Sequence, residues 1–510
     1  RPVTDREQPG FRRRQVLGGL GAAAATLAAG AAAERAEAAP NWDVFTDVLV
    51  VGSGAAGVCA ALEARRAGAQ VLLVESLSQF GGSSAMSGGV VYAGGGTALQ
   101  RSLRIDDSVE EMYNFLSQAG GPHPPLEKIQ LYCEESSAHF GWLVEQGIPY
   151  GERMTLDKGL PMGDESLYFS GTELAWPARE LARPAPRGHV PGVPGMNGGR
   201  SLMQALFAQL DASGVEKQAR VVGERLIVWG DGRVAGLRVN ADGESRRIRA
   251  RRGIVLACGG FIHNPDMLRR YAPHLFDCSV PWGNAGDQGA GINMGIAAGG
   301  AALRMHEGFA IAPIYPPENT ISGILVNAAG QRFIAEDAYH GVLGHAIAFH
   351  QQGSAWLVTD QASSFGFQQD NFPIVGRANT IGDLALQLPL PKGALQHTVA
   401  YYNRHADNRE DPLFHKSPDY VRPLSGPPYV AYDLSVDQAF TPVHTFGGLH
   451  TSVDGQVLNS FGEAIPGLFA AGRTTAGLPT APYIASGLSV GDCTFFGRRA
   501  GRTAAVEGKA

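Results

Sequence analysis

Nothing in the composition supplies a basic field for a phosphate polymer. The 42 Lys and Arg of this 510-residue chain stand against 48 Asp and Glu, a formal net charge of -6, which argues against nucleic-acid binding. Cysteine is scarce. Cys59, Cys133, Cys258, Cys278 and Cys493 are far apart and form no CxxC or CxxCH, so a disulfide framework, a zinc ribbon and attached c-type haem are not expected, and no metal site is read. Beyond residue 40 the chain has no apolar run of about 18 residues, the length a membrane span needs, so no transmembrane segment is expected in a mature chain. Internal repeats and low-complexity periods are also missing. What is plentiful is glycine, 68 residues, and proline, 31, beside 44% hydrophobic residues. That is the composition of a large core joined by backbone-restricted loops, and the length predicts two to four domains.

The first forty residues read as a processing segment. Arg12-Arg13-Arg14 is followed by Val16-Leu17, an uncharged Gly/Ala-rich run from Gly18 to Ala33, and the small-x-small pattern Ala36-Glu37-Ala38. This three-part layout is that of an export leader, and its arginines and weakly hydrophobic core resemble a twin-arginine signal. The expectation is export to the periplasm, cell envelope or exterior, or a cytoplasmic protein if the leader is not used.

The chemistry begins at residue 46. Thr46 to Val51 is a β-branched run that enters Gly52-Ser53-Gly54-Ala55-Ala56-Gly57, helix formers occupy Val58 to Ala67, and a second strand, Gln70 to Val74, ends in Glu75. Strand, GxGxxG, helix, strand and acidic residue form the dinucleotide fingerprint in the context that makes it specific. Gly52 permits the tight turn, Gly54 lets backbone approach a pyrophosphate, Gly57 lets helix and strand pack, and the helix N-terminus offers amides to the phosphates. Glu75 is placed to accept from a ribose diol. A long Gly/Ser segment follows, including Gly82, Ser83, Ser84, Gly88 and Gly89, whose small side chains let a wide ring system lie against the backbone.

With this segment the chain resembles the flavoprotein family that includes fumarate reductase flavoprotein subunits and 3-ketosteroid dehydrogenases. The resemblance extends discontinuously over residues 46 to 505. It includes Arg251 to Gly260, Asn284-Ala285-Gly286-Asp287, Gly467 to Arg473, and Ser486-Gly487-Leu488-Ser489 opening a final helix. It implies an α/β fold with a Rossmann-type, glutathione-reductase-like FAD-binding domain from 41–297 and 432–510, and an inserted α+β substrate cap over 298–431. The Arg- and Pro-rich stretch from Arg179 to Asn197 reads as an irregular loop over the same cleft. Beyond the fingerprint residues it implies cofactor contacts at Val222, Ala257, Gly259, Gly260, Asn284, Asp287, Gly472, Arg473, Leu488 and Ser489. Covalently flavinylated members carry a His where this chain has Ser83-Ser84-Ala85, so the FAD is expected to be non-covalent.

Two substrates compete within that family. A small dicarboxylate needs fixed arginines; here the arginine that fumarate reductases carry beyond Arg332-Phe333 is absent, Glu336 being followed by Asp337-Ala338-Tyr339-His340. Another is missing before the last helix, where Tyr483-Ile484-Ala485-Ser486 stands. His444-Thr445-Phe446-Gly447-Gly448 favours the dicarboxylate reading, since fumarate reductases place a similar histidine on a substrate carboxylate, although this one can equally bond a flavin carbonyl or fill the junction. The remaining features look most like the 3-ketosteroid Δ4-(5α)-dehydrogenase branch, with the Δ1 branch as neighbour. The expected machinery is then Tyr339 or Tyr483 as base with Ser486 relaying, hydride leaving to flavin N5, and an external electron acceptor. A flavin-binding electron-transfer protein is the reading from another class, for which a substrate cap is unnecessary.

Overall fold

The computed structural model describes residues 34–36, 41–365 and 371–507. The expected leader lies outside the described residues except for Glu34–Ala36, a short strand pairing in parallel with Ile227–Trp229.

The core is a doubly wound sheet. Strand β1 (Val44–Val51) leads into α1 (Ala55–Arg66) and β2 (Val71–Val74). After α2 (Gly198–Ala212) come β3 (Glu216–Gln218), β4 (Val221–Trp229), β5 (Val234–Ala241) and the long β6 (Glu244–Leu256). Near the C-terminus β7 (Ala464–Ala470) and α3 (Leu488–Glu507) complete it. The parallel strands lie in the order β7, β6, β1, β2, β3, with Val50 opposite both Leu73 and Val255, while β5 pairs antiparallel with the first half of β6 and, on its other edge, with β4. β1 and β2 are apolar on both faces because helices cover both sides of a parallel sheet.

The structure starts α1 at Ala55, three residues before the start expected from helix formers alone. Gly54 is its N-cap, with no side chain to bond the first amides, so Ala55-Ala56-Gly57 already form the first turn. Gly57 is there because a Cβ on it would lie 1.9 Å from the Gly52 carbonyl oxygen. The opposite face of α1 meets α3 at small residues, and a Cβ at Gly501 would sit 2.0 Å from the Ala60 carbonyl oxygen.

Within residues 298–431 the strands Ile324–Val326, Trp356–Thr359 and Ile374–Ala378 join Tyr429–Asp433 in an antiparallel sheet. The last strand runs across position 431. Leu395, Val399 and Tyr402 of helix Ala394–Ala406 pack with Ile324, Val358 and Ala431. Gly308–Ala310 pairs antiparallel with Pro442–Thr445, setting Phe309 opposite His444. The stretch 179–197 is more ordered than expected. Gly188–His189 is the middle strand between Val91–Tyr92 and Leu167–Tyr168, held by the fully buried ion pair of Arg187 with Asp107 at 2.7 Å. Among the described residues no helix is long and apolar enough to cross a membrane, and no group of three or more His, Cys, Asp or Glu is placed to hold a metal ion.

Candidate functional site

The glycine turn after β1 is walled by backbone. At Gly52 (φ 107°) a Cβ would meet the Ala257 carbonyl oxygen at 2.2 Å, whereas at Gly54 the nearest atom is Ser84 Oγ at 3.5 Å. Gly52 and Gly57 therefore serve close packing, and Gly54 keeps open the approach to the helix N-terminus, where Ala56 and Gly57 follow. Ser84 Oγ accepts from the Ala55 amide at 3.0 Å, and a Cβ on Gly82 (φ 52°) would lie 3.3 Å from Gly54 Cα. At the end of β2, Glu75 Oε2 accepts from the amide and hydroxyl of Ser53 at 3.0 and 2.6 Å. Val222 stands beside it, since Val221 donates to the Glu75 carbonyl at 2.9 Å.

Three segments distant in sequence converge on one carboxylate. Asp287 Oδ2 accepts from Ser83 Oγ at 2.7 Å and from Arg473 at 2.6 Å, and Ser83 Oγ in turn accepts from the Asn284 amide at 2.8 Å. Gly259 (φ 75°) lies against the same group; a Cβ there would be 1.9 Å from Asp287 Oδ1. Gly260 packs on Thr445, whose hydroxyl accepts from Phe261 N at 3.1 Å. Gly472 (φ 65°) packs on Ala56. Gly88 and Gly89 are placed differently from the others: Gly89 packs on Gly198 at the start of α2, where only a missing Cβ fits. At the N-terminus of α3, after Leu488, the Ser489 hydroxyl is buried with no partner, and so is His444 Nε2. Buried polar atoms are ordinarily satisfied. Two orphans and an open glycine turn fit a dinucleotide with a polar flavin ring.

On the substrate side the structure separates the two candidate tyrosines. The Tyr339 hydroxyl lies 2.6 Å from Ser486 Oγ. Tyr483 points elsewhere: its hydroxyl accepts from the Ser489 amide at 2.9 Å, so it braces the start of α3. Burial, reinforced by Tyr483, lifts the Tyr339 hydroxyl well above the normal tyrosine range even though Ser486 opposes it. Burial likewise pushes Tyr483 up to about 12. Neither is a standing phenolate at neutral pH. Tyr168, on the strand beside Gly188–His189 and marked by no sequence motif, is raised by burial, with Ser486 opposing that rise. Phe309 and Phe446 flank Tyr483 at 4.7 and 5.2 Å between ring centroids, and Tyr339, Tyr483, Ile484 and Leu488 share one buried apolar cluster with them.

Two nearby arginines are already spent. Arg332 makes two-point contacts with both Glu336 and Asp411 at 2.7 to 3.0 Å, and Arg473 is held by Asp287. Burial first, and then Arg473, drives His444 well below the normal histidine range, so it is neutral and offers no ion pair. Among the described residues Arg332 and Arg473 are thus both paired with carboxylates.

The FAD binding domain family matches residues 47–486. The chain is 30% identical over 504 residues to the 3-oxo-5-alpha-steroid 4-dehydrogenase of Comamonas testosteroni, spanning 85% of this chain and 93% of that protein. It superposes with a TM-score of 0.87, at 40% identity, on the crystal structure of 3-ketosteroid-Δ4-(5α)-dehydrogenase from Rhodococcus jostii RHA1 in complex with 4-androstene-3,17-dione, covering 93% of this chain and 99% of that one. A fumarate reductase (cytochrome) of Shewanella frigidimarina is 26% identical over 476 residues, 91% of this chain and 77% of that protein. The chain belongs to the FAD binding domain family, as an FAD-dependent oxidoreductase acting on CH–CH bonds.

Proposed function

We propose that this enzyme dehydrogenates a flat, neutral ketone of the 3-ketosteroid class, introducing a double bond next to the carbonyl. The observation that carries the proposal is the Tyr339–Ser486 pair, 2.6 Å apart within a wall of apolar and aromatic side chains. Dehydrogenation beside a ketone needs a polarised carbonyl, a path for the α-proton and a hydride acceptor. FAD, when bound, would supply the hydride acceptor. Ser486 Oγ takes the α-proton as its own moves to Tyr339, and the aromatic wall of Phe309, Phe446 and Tyr483 excludes water. Similarity to enzymes named for 3-ketosteroids supports the substrate class. With an artificial acceptor, purified enzyme should convert a saturated 3-ketosteroid to the conjugated enone, while reduced viologen should drive no appreciable fumarate reduction. Rapid fumarate turnover would reverse this assignment.

We also propose that the FAD is dissociable. The Ser83 hydroxyl, in the loop segment where a covalent attachment would be made, is already engaged by Asp287 and Asn284. Acid precipitation should release all the yellow colour into the supernatant as FAD. Colour retained in the pellet would show a covalent bond.

A further inference from the structure

We infer that Lys158, Asp337 and His340 form a second polar pole of the substrate cleft, which takes a hydroxyl group at the far end of the ketone that reacts at Tyr339 and Ser486. The inference rests on the dehydrogenase reading above and deepens it, from a flat neutral ketone to a hydroxylated one. The aromatic wall suits the apolar middle of such a ligand, but it gives no role to a cluster of unpartnered polar atoms beside Tyr339.

Arg332 and Arg473 are spent on carboxylates; Lys158 is not. Its Nζ donates to the Asp337 carbonyl at 2.6 Å, its one hydrogen bond among the described residues, and an ammonium has three N–H groups to give. Nζ lies 5.5 Å from the ring centre of Tyr315 and 5.3 Å from that of Tyr420, two aromatic faces that hold a cation without occupying its donors. Asp337 is 1% exposed. Its Oδ2 accepts from the Ser417 amide at 3.0 Å, and its Oδ1 is buried without a partner. His340 stacks on Tyr315 at 4.1 Å between ring centres, and its Nδ1 is buried and unpartnered as well. Buried polar atoms are ordinarily satisfied, so spare donors beside two orphans mark a place for a polar group.

The cluster is continuous with the reacting pair. His340 follows Tyr339, with ring centres 5.4 Å apart, and Lys158 rests on the carbonyl two residues before Tyr339. The Lys158 amide donates to Glu318 Oε1 at 2.8 Å. Two residues on, Leu160 packs against Gly88, where an added Cβ would lie 3.0 Å from Leu160 Cδ2. The loop that carries Lys158 therefore crosses from the Gly/Ser segment around Gly88 to the cap, and ligands lie at such junctions.

The charge balance selects the group. Asp337, Glu318 and Glu173 all act on Lys158, so a ligand carboxylate would meet more negative than positive charge. Burial first, and then Lys158, hold His340 down to about 3, so its ring is neutral and adds no cation. A ketone oxygen can accept from Lys158 but has nothing to give Asp337 Oδ1. A hydroxyl accepts from Lys158 and donates to Asp337 Oδ1 or to His340 Nδ1, and so matches the cluster in both senses.

Three saturated 3-ketosteroids that differ only on the terminal ring remote from the ketone, carrying hydrogen, a hydroxyl or a carboxylate there, test this by stopped-flow flavin reduction. Wild type should favour the hydroxyl over hydrogen by about 10- to 10²-fold in kcat/KM, the usual worth of a hydrogen bond to a charged group, and should use the carboxylate least. In Lys158→Met, and separately in Asp337→Asn, the ratio of hydroxyl to hydrogen should collapse toward unity. A loss shared by both steroids with the wild-type ratio kept would make Lys158 only a strap between its loop and the cap, and would overturn the inference, as would equal use of the two steroids or preference for the carboxylate by wild type. If no ketosteroid reduces wild-type flavin, the dehydrogenase reading falls. The pole is then judged by binding of the same steroids to the oxidised holoenzyme, followed as a shift of the flavin band. Tighter binding of the hydroxylated one that is lost in Lys158→Met supports it, and equal binding or none refutes it.

Discussion

Ser486→Ala should slow flavin reduction by a saturated 3-ketosteroid by about 10²- to 10⁴-fold, the usual worth of a positioned proton-transfer group, with FAD content and folding unchanged. Ser486 Oγ is the hydrogen-bond partner of the Tyr339 hydroxyl, and the Ser486 backbone, which anchors the loop to Ser170, is untouched by the substitution. Tyr339→Phe should fall in the same range because it keeps the ring and deletes only the carrier. Tyr483→Phe should cost no more than a few-fold, since its hydroxyl only accepts from the Ser489 amide. The contrast between the tyrosines is the informative part: equal losses would contradict the separate roles their hydrogen bonds assign. Stopped-flow traces of the three variants against wild type measure it.

The largest effect on stability is expected from Glu336→Gln. Glu336 is fully buried, bound by Arg332 at 2.7 Å and Lys416 at 2.8 Å, and also accepts from the Leu325 amide at 2.8 Å. Removing one partner of a buried ion pair typically costs about 3–5 kcal/mol, because the other charge is left uncompensated. Burial alone would raise the Glu336 carboxyl, but Arg332 and Lys416 outweigh it and hold it below the normal range. Its stabilising contribution is therefore fully present above the unfolded carboxylate value of about 4.3 and is lost as pH falls through the lower folded value. Urea unfolding of the holoenzyme at neutral pH should show a much lower midpoint in Glu336→Gln, and this variant should lose part of the wild-type acid sensitivity. An unchanged midpoint would remove the network from the account of the cap.

Local signals carried the sequence reading furthest. β1, the glycine turn, α1 and β2 are consecutive, so GxGxxG and Glu75 disclose them without any tertiary knowledge. α1 begins three residues before the helix formers at Val58, because Gly57 enters the first turn to clear Gly52. Gathering Ser83, Asn284, Asp287 and Arg473 on one carboxylate spans nearly 400 residues, and only the family resemblance pointed to it. The choice between Tyr339 and Tyr483 was not legible at all, because it depends on which hydroxyl α3 claims. Tyr168 was invisible for the same reason. Its position follows from the strand pairing with Gly188, which no short motif encodes.

The central claim is that the FAD in this fold takes hydride from a neutral ketone of the 3-ketosteroid class. Its most direct test is anaerobic titration of the oxidised holoenzyme with a saturated 3-ketosteroid, followed at the flavin absorption band. The account predicts stoichiometric bleaching of the band with formation of the conjugated enone. An unchanged flavin spectrum with ketosteroids, together with reoxidation of the pre-reduced enzyme by fumarate, would contradict it.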